Sequence, residues 1–90
     1  SQNNPIAAKK FYELAITFNS KDVDAYNNLA LICQQLQDEK CVLDNYQKAF
    51  EVDPKNWEGR FGLGTFYDEQ GEYNLAEQQY RLAMKASNSD

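Results

Sequence analysis

The sequence predicts an all-α protein made of stacked antiparallel helix pairs, and three observations carry that prediction. Apolar residues recur at three- and four-residue steps through most of the chain, nearly the same pattern starts twice at an interval of 34 residues, and no stretch reads as a strand. Tyr26, Leu29, Ala30 and Cys33, followed by Val42, Tyr46, Ala49 and Pro54, return as Arg60, Leu63, Gly64 and Tyr67, then Ala76, Tyr80 and Ala83. A fixed period of that length marks supersecondary units that each need a neighbour to bury their apolar face.

Asn4 and Pro5 read as the cap and first residue of a helix over Pro5–Thr17, because proline gives up no hydrogen bond where the amide is unpaired anyway. Ala8, Phe11, Tyr12, Ala15 and Phe18 form its apolar stripe. The polar residues Asn19 to Asp22 then open a second helix, Val23–Leu36, with Tyr26, Leu29, Ala30 and Cys33 inward and an acidic start that suits the positive end of the helix dipole. A short link leads to a third helix, Glu39–Val52, carrying Val42, Tyr46, Ala49 and Phe50 and closed by Asp53 and Pro54. The fourth, Trp57–Gln70, buries Leu63, Gly64 and Tyr67 and ends in a left-handed turn at Gly71. The fifth, Glu72–Ala86, runs into the polar tail Ser87 to Asp90.

Composition excludes several functions. Ninety residues form one domain and bury only about 60% of their unfolded surface, which leaves little interior for a catalytic pocket. Nine basic and fourteen acidic residues give a net charge of -5 with no basic run, contrary to what nucleic acid or an anionic membrane surface rewards. The longest apolar run, Leu29 to Cys33, falls far short of the roughly 20 residues that span a bilayer. No secretory signal is visible, which favours a cytoplasmic setting; a periplasmic one requires that a signal has been removed. Cys33 and Cys41 have no metal-ligand spacing and read as buried small hydrophobes. With no histidine, no base beside either thiol and no glycine-rich phosphate loop, no catalytic group, cofactor or metal site is expected. Asp68, Glu69 and Glu72 cluster, but a solvated helix end explains them better than a cation site.

At the repeated positions the chain resembles the tetratricopeptide repeat (TPR) family, whose helix-turn-helix unit carries an aromatic, then Leu-Gly and Tyr, then Ala, an aromatic, Ala and a closing Pro. Residues 23–56 match one copy through Tyr26, Leu29, Ala30, Tyr46, Ala49 and Asp53-Pro54. Residues 57–90 match another through Leu63, Gly64, Tyr67, Gly71, Ala76, Tyr80 and Ala83, and 3–22 fit the second half of an earlier copy through Ala8, Tyr12 and Ala15. The resemblance implies a right-handed solenoid of about two and a half repeats and five helices. Arg60 departs from the pattern where an aromatic is usual, and the adjacent Trp57 is expected to supply the missing packing. Gly64 opposite Ala76 marks the closest helix crossing, since only small residues let backbones approach.

The resemblance further implies a concave side lined by the first helix of each pair, where a peptide or protein segment docks and where the module acts as a scaffold or adaptor without chemistry of its own. On the face that the core stripe leaves free stand Asp24, Asn27, Asn28, Leu31, Gln34 and Gln35 from the second helix, and Glu58, Phe61, Gly62, Thr65, Asp68 and Glu69 from the fourth. Of these, Asn27, Asn28, Leu31, Gln34, Gln35, Phe61, Thr65 and Asp68 are the expected peptide contacts. Leu31 and Phe61 are the expected apolar anchors, although Phe61 could equally pack on Trp57 or a neighbouring helix. Asn27 and Asn28 offer donors and acceptors to an extended backbone, or simply make a solvated face. Asn28 resembles the asparagine of a chaperone-tail carboxylate clamp, but Glu58 and Gly62 stand where that clamp has cations, so a neutral or basic partner fits better than an acidic one. The rival readings are self-association into a homodimer through open terminal helices bearing Phe11, Leu14 and Phe18, and an arm of a larger secretion, pilus-assembly or glycosyltransferase protein.

Overall fold

Four of the five helices begin where a short polar side chain takes up amides that have no partner within the helix. Asn4 accepts from the amides of Ile6 and Ala7, Asp22 from that of Ala25, Asp38 from that of Cys41 and Asn56 from that of Gly59. In the computed structural model, which describes residues 4–88, these caps open α1 (Pro5–Phe18), α2 (Val23–Gln35), α3 (Glu39–Val52) and α4 (Trp57–Glu69). The fifth, α5 (Tyr73–Ser87), follows Glu72 with no side-chain cap bond. Every boundary lies within one residue of the sequence expectation, and no strand occurs among the described residues. The tail positions 89 and 90 and the expected repeat edge at Asn3 lie outside them.

The turns repeat as faithfully as the helices. After α2 the amide of Asp38 donates to the carbonyl of Cys33 at 2.9 Å, and after α4 the amide of Glu72 donates to that of Tyr67 at 2.9 Å. Both turns need a left-handed residue. Gly71 takes φ 78° as expected, whereas the equivalent Gln37 takes φ 60° despite its Cβ. Between the pairs, Asn19 and Asp53 each accept from the amide two residues on.

α1 packs on α2, α2 on α3 and α4 on α5, while α4 also rests on both α2 and α3. The core runs through Leu29, Ala30, Cys33, Val42, Tyr46, Phe50, Leu63 and Phe66. At the α4–α5 crossing a Cβ on Gly64 would come within 2.8 Å of the Tyr80 ring, so the glycine expected there is required by space.

Three local expectations change. Of the stripe expected on α1, Tyr12 packs on the core, joined by Ile16, whereas Phe11 and Phe18 are exposed, because only one side of α1 meets another helix among the described residues. Trp57 does not replace a missing aromatic, since the Arg60 guanidinium itself covers the Phe50 ring at 3.8 Å. Cys33 and Cys41 are more than small hydrophobes: with Cα atoms 5.8 Å apart across the α2–α3 turn, they form a disulfide.

Candidate functional site

The residues left over by the core line a trough between α2 and α4. Its wider end, of about 450 Å³, is bounded by Asp24, Asn27, Asn28, Leu31, Glu58, Phe61 and Thr65, with Tyr46 of α3 forming the floor beside Gly62. Its narrower end, of about 410 Å³, is bounded by Leu31, Gln34, Gln35, Thr65 and Glu69. Leu31 and Thr65 border both ends, which makes the trough continuous. α2 and α4 run parallel along it, since cross-links join Asn27 to Asn56 near the start of α4 and Gln34 to Glu69 at its end.

Two glycines shape the floor and wall. A Cβ on Gly62 would collide with the Tyr46 ring and hydroxyl, so its absence lets α4 lie directly on that tyrosine. A Cβ on Gly59 would approach the Asn56 amide, the Asn27 side chain and the Phe50 ring, all within 2.9 Å. Tyr46 is 1% exposed, and burial pushes its phenol up to about 12. Burial also lowers the pKa of the Arg60 guanidinium, which bonds to Gln79 on α5.

The eight residues anticipated for peptide contact are not equally placed. Asn28, Leu31, Gln35, Phe61 and Thr65 border the trough without a side-chain partner across it, although the Thr65 hydroxyl donates to the Phe61 carbonyl. Leu31 is 46% and Phe61 54% exposed, and the Phe61 ring lies 5.7 Å from that of Tyr80 rather than against Trp57. Asn27 is committed internally: its amide and that of Asn56 exchange hydrogen bonds at 3.0 and 2.9 Å. Gln34 donates to Glu69 at 2.6 Å, leaving its own buried Oε1 unpartnered. Asp68 does not border the trough and accepts instead from the Tyr80 hydroxyl. Asp24, Glu58, Gly62 and Glu69, also expected on this face, border the trough as well. The floor residue Tyr46 was not anticipated, because it belongs by pattern to the core of another helix.

Among the described residues no group of three or more Cys, Asp or Glu side chains could hold a metal ion, and no helix is long and apolar enough to cross a membrane.

Models of the tetratricopeptide repeat match residues 23–56 and 45–78. The chain belongs to the tetratricopeptide repeat family. It is 38% identical over 49 residues to Protein bimA of Emericella nidulans, a match that covers 54% of the chain and 6% of that protein. It is 25% identical over 89 residues to Protein O-mannosyl-transferase TMTC3 of Homo sapiens, which covers 98% of the chain and 10% of that protein. The chain thus spans a tenth or less of the length of either curated relative. Its fold matches the crystal structure of MamA with a TM-score of 0.84 at 21% identity, over 94% of the chain and 50% of MamA. Domains of this repeat family are generally protein–protein interaction modules, and protein partners are the expectation for this TPR chain as well.

Proposed function

We propose that this TPR chain is a docking module which takes a peptide or protein segment into the α2–α4 trough and carries out no chemistry itself. The repeats divide at 23–56 and 57–90, so that the trough is the concave surface offered by the first helix of each pair. The observation that carries this reading is the exposure of Leu31 and Phe61 on opposite walls of one open trough, with Tyr46 beneath. Large side chains half in water beside a concavity are the usual anchors of a recognition surface. Asn28 and Gln35 supply amide donors and acceptors at the rim, suited to an extended backbone.

A peptide-library screen comparing the parent with Phe61→Ala and Asn28→Ala tests the proposal. Loss of binding in either variant supports it, and unchanged binding in both removes the trough from consideration.

A second reading rests on the two ends of the stack. Phe11, Leu14 and Phe18 of α1 are exposed, and Trp57, Tyr80 and Met84 border a nearly apolar depression beside α5. These edges fit packing against a second copy or against further helices of a longer chain. Sedimentation at high concentration separates the two: a strict monomer counts against self-association.

A further inference from the structure

The cations of this protein are segregated from its trough. Of nine Lys and Arg residues, eight belong to α1, α3, α5 or the turns. The ninth, Arg60, is turned under α4 onto Phe50 and Gln79. Carboxylates, by contrast, border both ends of the trough: Asp24 and Glu58 at one end, Glu69 at the other, all exposed. Between them the walls are apolar, formed by Leu31 and Phe61. No side-chain cation borders either end. Carboxylates that face no cation suit a group that can only donate, such as an ammonium or guanidinium.

We infer that the trough selects an extended basic segment, in which one apolar side chain seats between Leu31 and Phe61 and a lysine or arginine on each side meets Asp24 and Glu58 at one end and Glu69 at the other. This rests on the peptide-binding reading above and adds the chemistry of the occupant. The dimensions agree. From Asp24 to Gln35, or from Glu58 to Glu69, α2 and α4 rise roughly 16 Å at about 1.5 Å per residue. An extended chain covers that length in about five steps of roughly 3.3 Å each, and the long side chains of lysine span part of it, so two cations about four positions apart reach both ends.

The test uses end-capped peptides of sequence Gly-Lys-Ser-Leu-Ser-Lys-Gly, with the lysines replaced by glutamine in one control and by glutamate in another. Binding is followed through the backbone amide shifts of Leu31 and Thr65. The lysine peptide should bind on the order of tenfold more tightly than the glutamine peptide, since several exposed charge pairs each add a modest preference. The glutamate peptide should bind more weakly than either. Raising the salt concentration should erase the differences, and the double variant Glu58→Gln with Glu69→Gln, which keeps Asp24 and an oxygen acceptor for Gln34, should shrink them.

Equal binding of all three peptides would overturn the inference while leaving the trough as a peptide site. Failure of all three would overturn both. Shifts at Leu31 and Thr65 that grow with protein concentration in the absence of peptide would assign the trough to a second copy and overturn the inference as well.

Discussion

The helix pairs α2–α3 and α4–α5 carry nearly the same sequence pattern, yet they are buried to different depths. Tyr46 and Phe50 of α3 lie under α4, with Gly62 and Gly59 seated over them. The equivalent residues of α5, Tyr80 and Met84, have no such cover among the described residues, and Met84 is 64% exposed. The difference shows that in a repeat protein the burial of a residue is set by its neighbouring unit as much as by its own. The same core tyrosine is a buried floor in one pair and a partly wet wall in the next.

The sharpest way to break this comparison is to truncate the two tyrosines. Tyr46→Ala should cost about 4 kcal/mol, in the range for losing a large buried aromatic, and Tyr80→Ala about half of that. Urea unfolding measures both, and equal losses would mean that the α4 cover contributes nothing.

The buried phenol gives a pH test of the same asymmetry. Because the Tyr46 pKa is raised in the folded state, its contribution is fully present below about pH 10 and is lost as pH climbs towards 12. Alkaline titration of stability should show a loss of about 2 kcal/mol over that window, and Tyr46→Phe should remove that part of it.

The α2–α3 pair alone carries a disulfide, whose partners are eight residues apart. Closing so short a loop should stabilise the protein by about 2 kcal/mol. A reductant should lower the urea midpoint of the parent and leave that of Cys33→Ala with Cys41→Ala unchanged.

The smallest effect is expected at the seam between the pairs. Asn27→Ala leaves the buried Asn56 amide without its partner and should cost about 1 kcal/mol in stability. The loss should shrink in the Asn56→Ala background, as a double-mutant cycle would show.

Much of this architecture was legible because local chemistry and global pattern agree. The caps Asn4 and Asp22 sit immediately before the periodic apolar residues, and Gly71 has the residue type that its turn requires. What was hidden is what depends on contacts across repeats. Gln37 occupies a left-handed turn that its residue type does not advertise, and only its offset of 34 from Gly71 betrays it. Phe66 is buried although it falls beside the stripe chosen for α4, because that helix packs on α2, α3 and α5 at once. The disulfide depends on a turn that returns Cys41 to the end of α2, and a spacing of eight says nothing of that in itself. In the trough the anchors Leu31 and Phe61 stood out as apolar residues off the stripe. The withdrawal of Asn27 and Asp68 into partners on other helices could not be read from their own helices.

Amide shift mapping with the lysine-bearing peptide tests the central claim most directly. Perturbations clustered at Asn28, Leu31, Phe61 and Thr65 on α2 and α4, and abolished by Phe61→Ala, are the predicted result. Perturbations confined to α1 or to the Trp57, Tyr80 and Met84 surface would contradict it and would place recognition at the ends of the stack.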